Sequence, residues 1–101
     1  MVVASSADGL DADQAAQFEQ IRRLFVAGLV KRRLEIEAAS SDIELQAALH
    51  RLAGAAGGFD CEVLGDIARQ AWQASHAQDE GTLAEIMVRL KAEIERLLMQ
   101  S

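Results

Sequence analysis

Hydrophobic residues recur along the middle of the chain with the spacing of an α-helix. Between residues 45 and 59 the apolar positions fall three or four residues apart: Leu45, Leu49, Leu52, Ala56 and Phe59. At about 100° per residue these positions form one apolar stripe. Just upstream, Ser41 and Glu44 have the spacing of a capping box, which predicts where the helix begins. The pattern therefore predicts an amphipathic helix that begins after Ser41 and ends near Phe59.

The same periodicity predicts helical structure upstream, from residue 11 to residue 39. The apolar face of this segment comprises Phe18, Ile21, Phe25 and Leu29. Asp11 and Gln14 have the spacing of a capping pair at its start. One straight helix of this length would span about 42 Å, which is too long for so small a bundle. We therefore expect a bend or break between Gln17 and Gly28, and a flexible arm over residues 1–10.

Two further helices are predicted downstream. The first begins at Cys61, with Asp60 as its cap, and ends near Ala77. Its inner face comprises Val63 or Leu64, Ile67, Ala71 and Ala74. The second begins with a capping box of Thr82 and Glu85, and its inner face comprises Leu83, Ile86, Leu90, Ile94 and Leu97. The fold expected over residues 11–101 is an all-α, antiparallel four-helix bundle, with or without a short extra N-terminal helix.

Composition and charge narrow the function classes. The chain has 101 residues, which is enough for one domain with one core, and it contains no proline. A formal net charge of −6 argues against a nucleic-acid partner. The chain has no apolar run of about 18 residues, so no membrane span is expected. A lone cysteine, Cys61, cannot form an internal disulfide, which fits a cytoplasmic protein.

His50 is the residue most suited to chemistry. It lies about 140° around the helix from the apolar stripe, so its ring is expected to face solvent. Its neighbours on that outer face are one amide, Gln46, and four small residues: Ala47, Ala53, Gly54 and Gly57. Each glycine inside a helix costs roughly 1 kcal/mol relative to alanine. The pattern predicts an imidazole on a bare face that another protein can approach closely.

The motif His50-x-Leu52-x-Gly54, followed by Phe59 and Leu64, resembles the signature of histidine-containing phosphotransfer domains. These domains are four-helix bundles that carry a phosphoryl group on one exposed histidine. The resemblance extends from near Phe25 to the end of the chain. In that family a short helix precedes a longer one in the N-terminal part.

The resemblance implies a phosphorelay role in bacterial two-component signalling. His50 would be the phosphoacceptor, and the partner would be the receiver domain of a response regulator, a histidine kinase, or both. Gln46 and Arg51 are candidate contacts for the phosphoryl group or the partner, and the small residues of the outer face would allow access. The resemblance implies no cofactor and no autonomous kinase activity.

Three positions depart from the family pattern. Where this chain has Ala53, the family usually has Lys or Arg. Where this chain has Asp60, many members have glycine, and where it has Trp72, several members have a polar residue. Arg69 on the following helix is a candidate replacement for the missing cation. Because Ala53 removes that cation, two alternatives stay open: a non-phosphorylated adaptor, and an inhibitor that docks on a receiver without transfer.

The remaining candidates point to structural roles. His76 lies near a helix end, where the helix dipole favours a protonated imidazole. Trp72 is expected to pack at the edge of the core. The two histidines and Cys61 lack the spacing of metal ligands, so no metal site is expected. The chain has no phosphate-binding glycine loop and no Ser-His-Asp order, which argues against a self-contained kinase or hydrolase.

Overall fold

The computed structural model describes residues 2–100, with side chains from Ala12 onward. It contains five helices: α1 (Val2–Ala27), α2 (Leu29–Ala38), α3 (Asp42–Gly58), α4 (Glu62–His76) and α5 (Glu80–Gln100). No strand occurs within residues 2–100. The predicted all-α fold class is therefore confirmed.

Gly28 separates α1 from α2 but leaves the hydrogen-bond ladder in place. Its N–H donates to the carbonyls of Leu24 and Phe25, both at 3.1 Å, and its carbonyl accepts the Arg32 N–H at 3.2 Å. The two segments thus form one interrupted helix, and the predicted break lies at its expected limit. The resemblance implied a short helix before a longer one, and this order is wrong: α1 has 26 residues and α2 has 10.

The bundle is closed by contacts around a ring of four helices. The helix α2 packs against α3 and α5, α3 packs against α4, and α4 packs against α5. Short connections join consecutive helices, which is the arrangement of an antiparallel bundle. The buried residues form one core: Phe25, Val26, Leu29, Ile36, Ala48, Leu49, Leu52, Ala56, Cys61, Leu64, Ile67, Ala68, Ala71, Ala74, Ile86, Leu90, Ile94 and Leu97.

The first half of α1 does not join this core. Every side chain from Ala12 to Ile21 is exposed, and Phe18 and Ile21 are 40% and 48% exposed. Of the predicted apolar face, Phe25 and Leu29 are therefore buried, whereas Phe18 and Ile21 lie outside the core. The reason is length. At 1.5 Å per residue α1 and α2 together extend about 55 Å and α5 about 32 Å, so the N-terminal part of α1 has no helix opposite it.

The backbone of α1 is helical from Val2. It therefore passes through Asp11, the residue at which the sequence pattern predicted a helix start. Met1 lies outside the described residues, and no side chain before Ala12 is described. The flexible arm over residues 1–10 stays a prediction.

The start of α3 follows the predicted capping pattern. The Ser41 hydroxyl accepts the N–H of Glu44 at 3.2 Å. The Glu44 carboxylate in turn accepts the N–H and hydroxyl of Ser40 at 2.8 and 2.9 Å, and these hydrogen bonds lower the pKa of Glu44. This cap fixes the residue at which α3 begins.

Two connections use a residue with left-handed backbone. Asp60 and Gln78 both have φ of 60°. Asp60 follows α3, where the Cys61 N–H donates to the Ala56 carbonyl at 2.9 Å. Asp60 therefore ends α3 and does not cap α4, whose first flanking residue is Cys61 with no side-chain cap. Glycine adopts this conformation without strain, whereas Asp60 carries a β-carbon there.

The start of α5 also differs from the prediction. The helix begins at Glu80, and the Asp79 carboxylate accepts the Thr82 N–H at 3.2 Å. Hydrogen bonding from the Thr82 side chain, and then from its N–H, lowers the pKa of Asp79. The residue at the cap is thus Asp79, and the predicted capping box of Thr82 and Glu85 is wrong. Asp79 rather than Thr82 caps the helix because the preceding residue, Gln78, turns the chain. This turn points the Asp79 carboxylate at the first N–H groups of the helix.

Gln78→Gly is expected to raise the free energy of unfolding by about 1 kcal/mol, because glycine tolerates the left-handed backbone that a β-carbon strains. Gln78→Ala keeps the β-carbon and serves as the control, with little expected gain. Urea unfolding followed by circular dichroism measures both variants. Equal unfolding midpoints for the glycine and alanine variants would contradict the assignment of strain to this residue.

Candidate functional site

His50 projects from the outer face of α3. The residue before it, Leu49, is completely buried, whereas His50 itself is exposed. The helical spacing predicted this orientation. The imidazole borders an open groove of about 320 Å³ between α3 and α4. We call this the histidine groove, and it is lined by His50, Ala53, Gly54, Arg69, Trp72 and Gln73.

The helices α3 and α4 approach each other closely beside this groove, at Ala53. A β-carbon added at Gly65 would lie 3.4 Å from the Ala53 carbonyl oxygen and 3.6 Å from the Ala56 β-carbon. Gly65 is buried, as are Ala68 and Ala71 on the same helix. Sequence analysis did not single out Gly65. Its available signal was a run of small residues on α4 opposite the small residues of α3.

The glycines on α3 show the opposite situation. A β-carbon added at Gly54, Gly57 or Gly58 would meet no heavy atom within 4 Å. Packing therefore gives no reason for glycine at these positions, although each glycine lowers helix stability. Gly54 follows His50 by one turn on the same side, so its missing side chain leaves the space beside the ring open.

Trp72 lies between the two histidines. Its ring centroid is 6.1 Å from that of His50 and 5.3 Å from that of His76, and it stacks on His76 with an interplanar angle of 9°. The indole is half-buried and packs against the core, as predicted, while it also lines the histidine groove. Gln73, the next residue, brings an amide to the same groove.

The structure separates the other predicted site residues from the groove. Gln46 is half-buried, and its amide donates to the Ser75 hydroxyl at 3.3 Å. Ala47 and Gly57 are exposed but do not line the groove. Arg51 borders a different depression with Glu35 and other residues on the α2 side of the bundle. Of the residues predicted for access, Ala53 and Gly54 are the ones placed beside the histidine.

Arg69 brings a positive charge to the histidine groove. Its Nη1 donates to the Asp66 carboxylate at 2.9 Å. The two side chains are 57% and 63% exposed, so this ion pair is a weak surface interaction. Arg69 is thus placed next to the space that a group attached to His50 would occupy.

Other reactive side chains are set up differently. Cys61 is buried, and burial raises the pKa of its thiol. Among the residues with described side chains, no three His, Cys, Asp or Glu residues cluster as metal ligands do.

Within residues 2–100, no helix has the length and apolar character needed to cross a membrane.

No protein-family model, curated protein or solved structure matches this chain. The resemblance to histidine-containing phosphotransfer domains therefore depends on the motif around His50. The function has to be argued from the residues of the histidine groove.

Gly54→Ala is expected to stabilise the protein by about 1 kcal/mol, because alanine favours the helix and its β-carbon meets open space. Gly65→Ala is the buried comparison, since its β-carbon would lie 3.4 Å from the Ala53 carbonyl oxygen, at the close end of ordinary van der Waals contact, and its gain should be no larger. Thermal and urea unfolding measure both. A loss of stability in Gly54→Ala would show that this glycine is needed for packing.

Proposed function

We propose that this protein is a histidine phosphotransfer protein of two-component signalling. His50 accepts a phosphoryl group from a receiver-domain aspartate or from a histidine kinase, and passes it to another receiver. One observation carries the proposal: an exposed imidazole lies beside a helical glycine that packing does not require. A surface histidine without a role would give no reason to keep glycine there.

The chemistry needs little from this chain beyond the imidazole. A lone pair on the unprotonated ring nitrogen of His50 attacks the phosphorus of the partner's aspartyl phosphate. The P–N bond forms as the acyl P–O bond breaks, and the electron pair of that bond stays on the aspartate carboxylate. The other ring nitrogen keeps its proton, so the product is a phosphorylated imidazolium. The return step reverses these changes.

The in-line geometry of this reaction accounts for the bare face of α3. The attacking nitrogen, the phosphorus and the leaving oxygen must be nearly collinear, so the partner's active site has to reach the imidazole directly. Ala53 has only a methyl group and Gly54 has no side chain, so both leave that approach open. None of the six residues that line the histidine groove is acidic, and the nearby Asp66 carboxylate is paired with Arg69.

A second candidate function is docking on a receiver without transfer, as an adaptor or inhibitor. The observation in its favour is Ala53, which places no cation one turn from His50 on α3. Such a protein would use the same exposed face of α3 and the same partner. The two functions differ in whether the phosphoryl group moves to His50.

Transfer is tested with receiver domains phosphorylated by radiolabelled acetyl phosphate. We expect acid-labile, alkali-stable label on the wild-type protein and none on His50→Gln. His76→Gln is the matched control, since it removes the other histidine, which is exposed on the neighbouring helix, and it should be labelled like the wild type. The transfer proposal would be overturned if the wild type and His50→Gln were labelled equally, or if neither protein were labelled. Stable binding without label would support the inhibitor.

Gly54→Leu is expected to slow transfer from a receiver by at least about tenfold, because a bulky side chain beside His50 misplaces the reacting atoms. The fold should persist, since the added β-carbon meets nothing within 4 Å. Ala92→Leu adds the same side chain on an exposed position of α5 and should transfer normally. Labelling by phosphoramidate, a much smaller donor, should be less affected. Wild-type transfer rates in Gly54→Leu would show that this glycine does not provide access.

A further inference from the structure

We infer that Arg69 binds the phosphoryl group on phospho-His50, so that α4 supplies the positive charge that α3 does not place in the histidine groove. This assignment rests on the proposed function. It adds a phosphoryl-binding residue that the sequence motif does not contain.

The electrostatics of the histidine groove single out Arg69. A phosphoryl group brings up to two negative charges to a chain whose formal net charge is already −6. Of the residues that line the groove beside His50, Arg69 alone carries a full positive charge; Ala53, Gly54, Trp72 and Gln73 carry none. A guanidinium also matches the geometry of phosphate oxygens, because it can donate two parallel hydrogen bonds.

The packing of α3 on α4 explains how a residue on one helix reaches a group on the other. Gly65 brings the two backbones together at Ala53. Arg69 lies one turn after Gly65 on the same side of α4, so its side chain starts close to α3. Ala53 is small and leaves the space between Arg69 and His50 open. The short side chain of Ala53 on α3 thus leaves room for the long, positively charged side chain of Arg69 on α4.

Arg69 is also available to a phosphoryl group. Its contact with Asp66 uses Nη1, one of three nitrogens on a guanidinium that has five N–H donors. Both partners are exposed to solvent, so the ion pair is easily exchanged. A phosphoryl dianion offers more charge and more acceptor oxygens than a single carboxylate. Arg51, by contrast, faces the depression that contains Glu35 and Glu44.

The test uses phosphoramidate, which phosphorylates histidine without a protein partner. The His50 ring nitrogen attacks phosphorus, the P–N bond of phosphoramidate breaks, and ammonia leaves with the electron pair. We expect the initial rate of labelling to fall about fivefold in Arg69→Gln, a change typical of losing one exposed charge interaction. Arg23→Gln is the control, because it removes the same charge from a remote, exposed part of α1.

Two further variants separate charge from structure. Ala53→Lys added to Arg69→Gln places a cation one turn from His50 and should restore the rate. Asp66→Asn releases Arg69 from its carboxylate partner and should raise the rate above that of the wild type. A rate in Arg69→Gln equal to that of the wild type, or a loss that Ala53→Lys does not restore, would overturn the assignment.

A ³¹P NMR titration gives a readout that a purely structural role would not change. A neighbouring guanidinium favours the dianionic phosphoryl group, so the phosphohistidine resonance should titrate at higher pH in Arg69→Gln than in the wild type. An unchanged midpoint would contradict contact between the two groups. Failure of this assignment is distinguishable from failure of the proposed function: if receivers transfer nothing while phosphoramidate labelling still depends on Arg69, the relay role fails and Arg69 remains a phosphoryl-binding residue.

Discussion

The contact between α3 and α4 at Gly65 is the constraint on which the site depends. A glycine and several alanines on α4 allow its backbone to lie against the Ala53 carbonyl. At this separation side chains from both helices meet in one groove. The close packing also places Trp72 near His50 and lets Gln46 bond to Ser75. The same feature thus packs two helices of the bundle together and assembles the histidine groove.

The site divides its roles between two helices. The helix α3 contributes the imidazole and a face cleared of side chains, and α4 contributes charge, an indole and an amide. The glycines of α3 lower its helix stability, and none of them is required by packing, since an added β-carbon would meet no heavy atom within 4 Å. The cap formed by Ser40, Ser41 and Glu44 stabilises the start of the same helix. This stabilisation acts at the N-terminal end of α3, away from its glycines.

Several elements were predictable because they depend on neighbours close in sequence. The outward orientation of His50 follows from the three- and four-residue spacing of the apolar positions. The beginning of α3 follows from Ser41 and Glu44, and the interruption at Gly28 follows from helix length. Asp79 was missed as a cap because its role depends on the left-handed backbone of Gln78, which ordinary propensities do not predict.

The sequence by itself determined that the protein is helical, which residues of α3 face inward, and that His50 faces solvent. Only the tertiary structure decided which residues share the histidine groove. Periodicity gives the angle of a side chain around its own helix, but it does not give the distance to another helix. That distance placed Arg69 beside His50 and Arg51 elsewhere, and it left Phe18 and Ile21 exposed where α1 extends past the helices it could pack against.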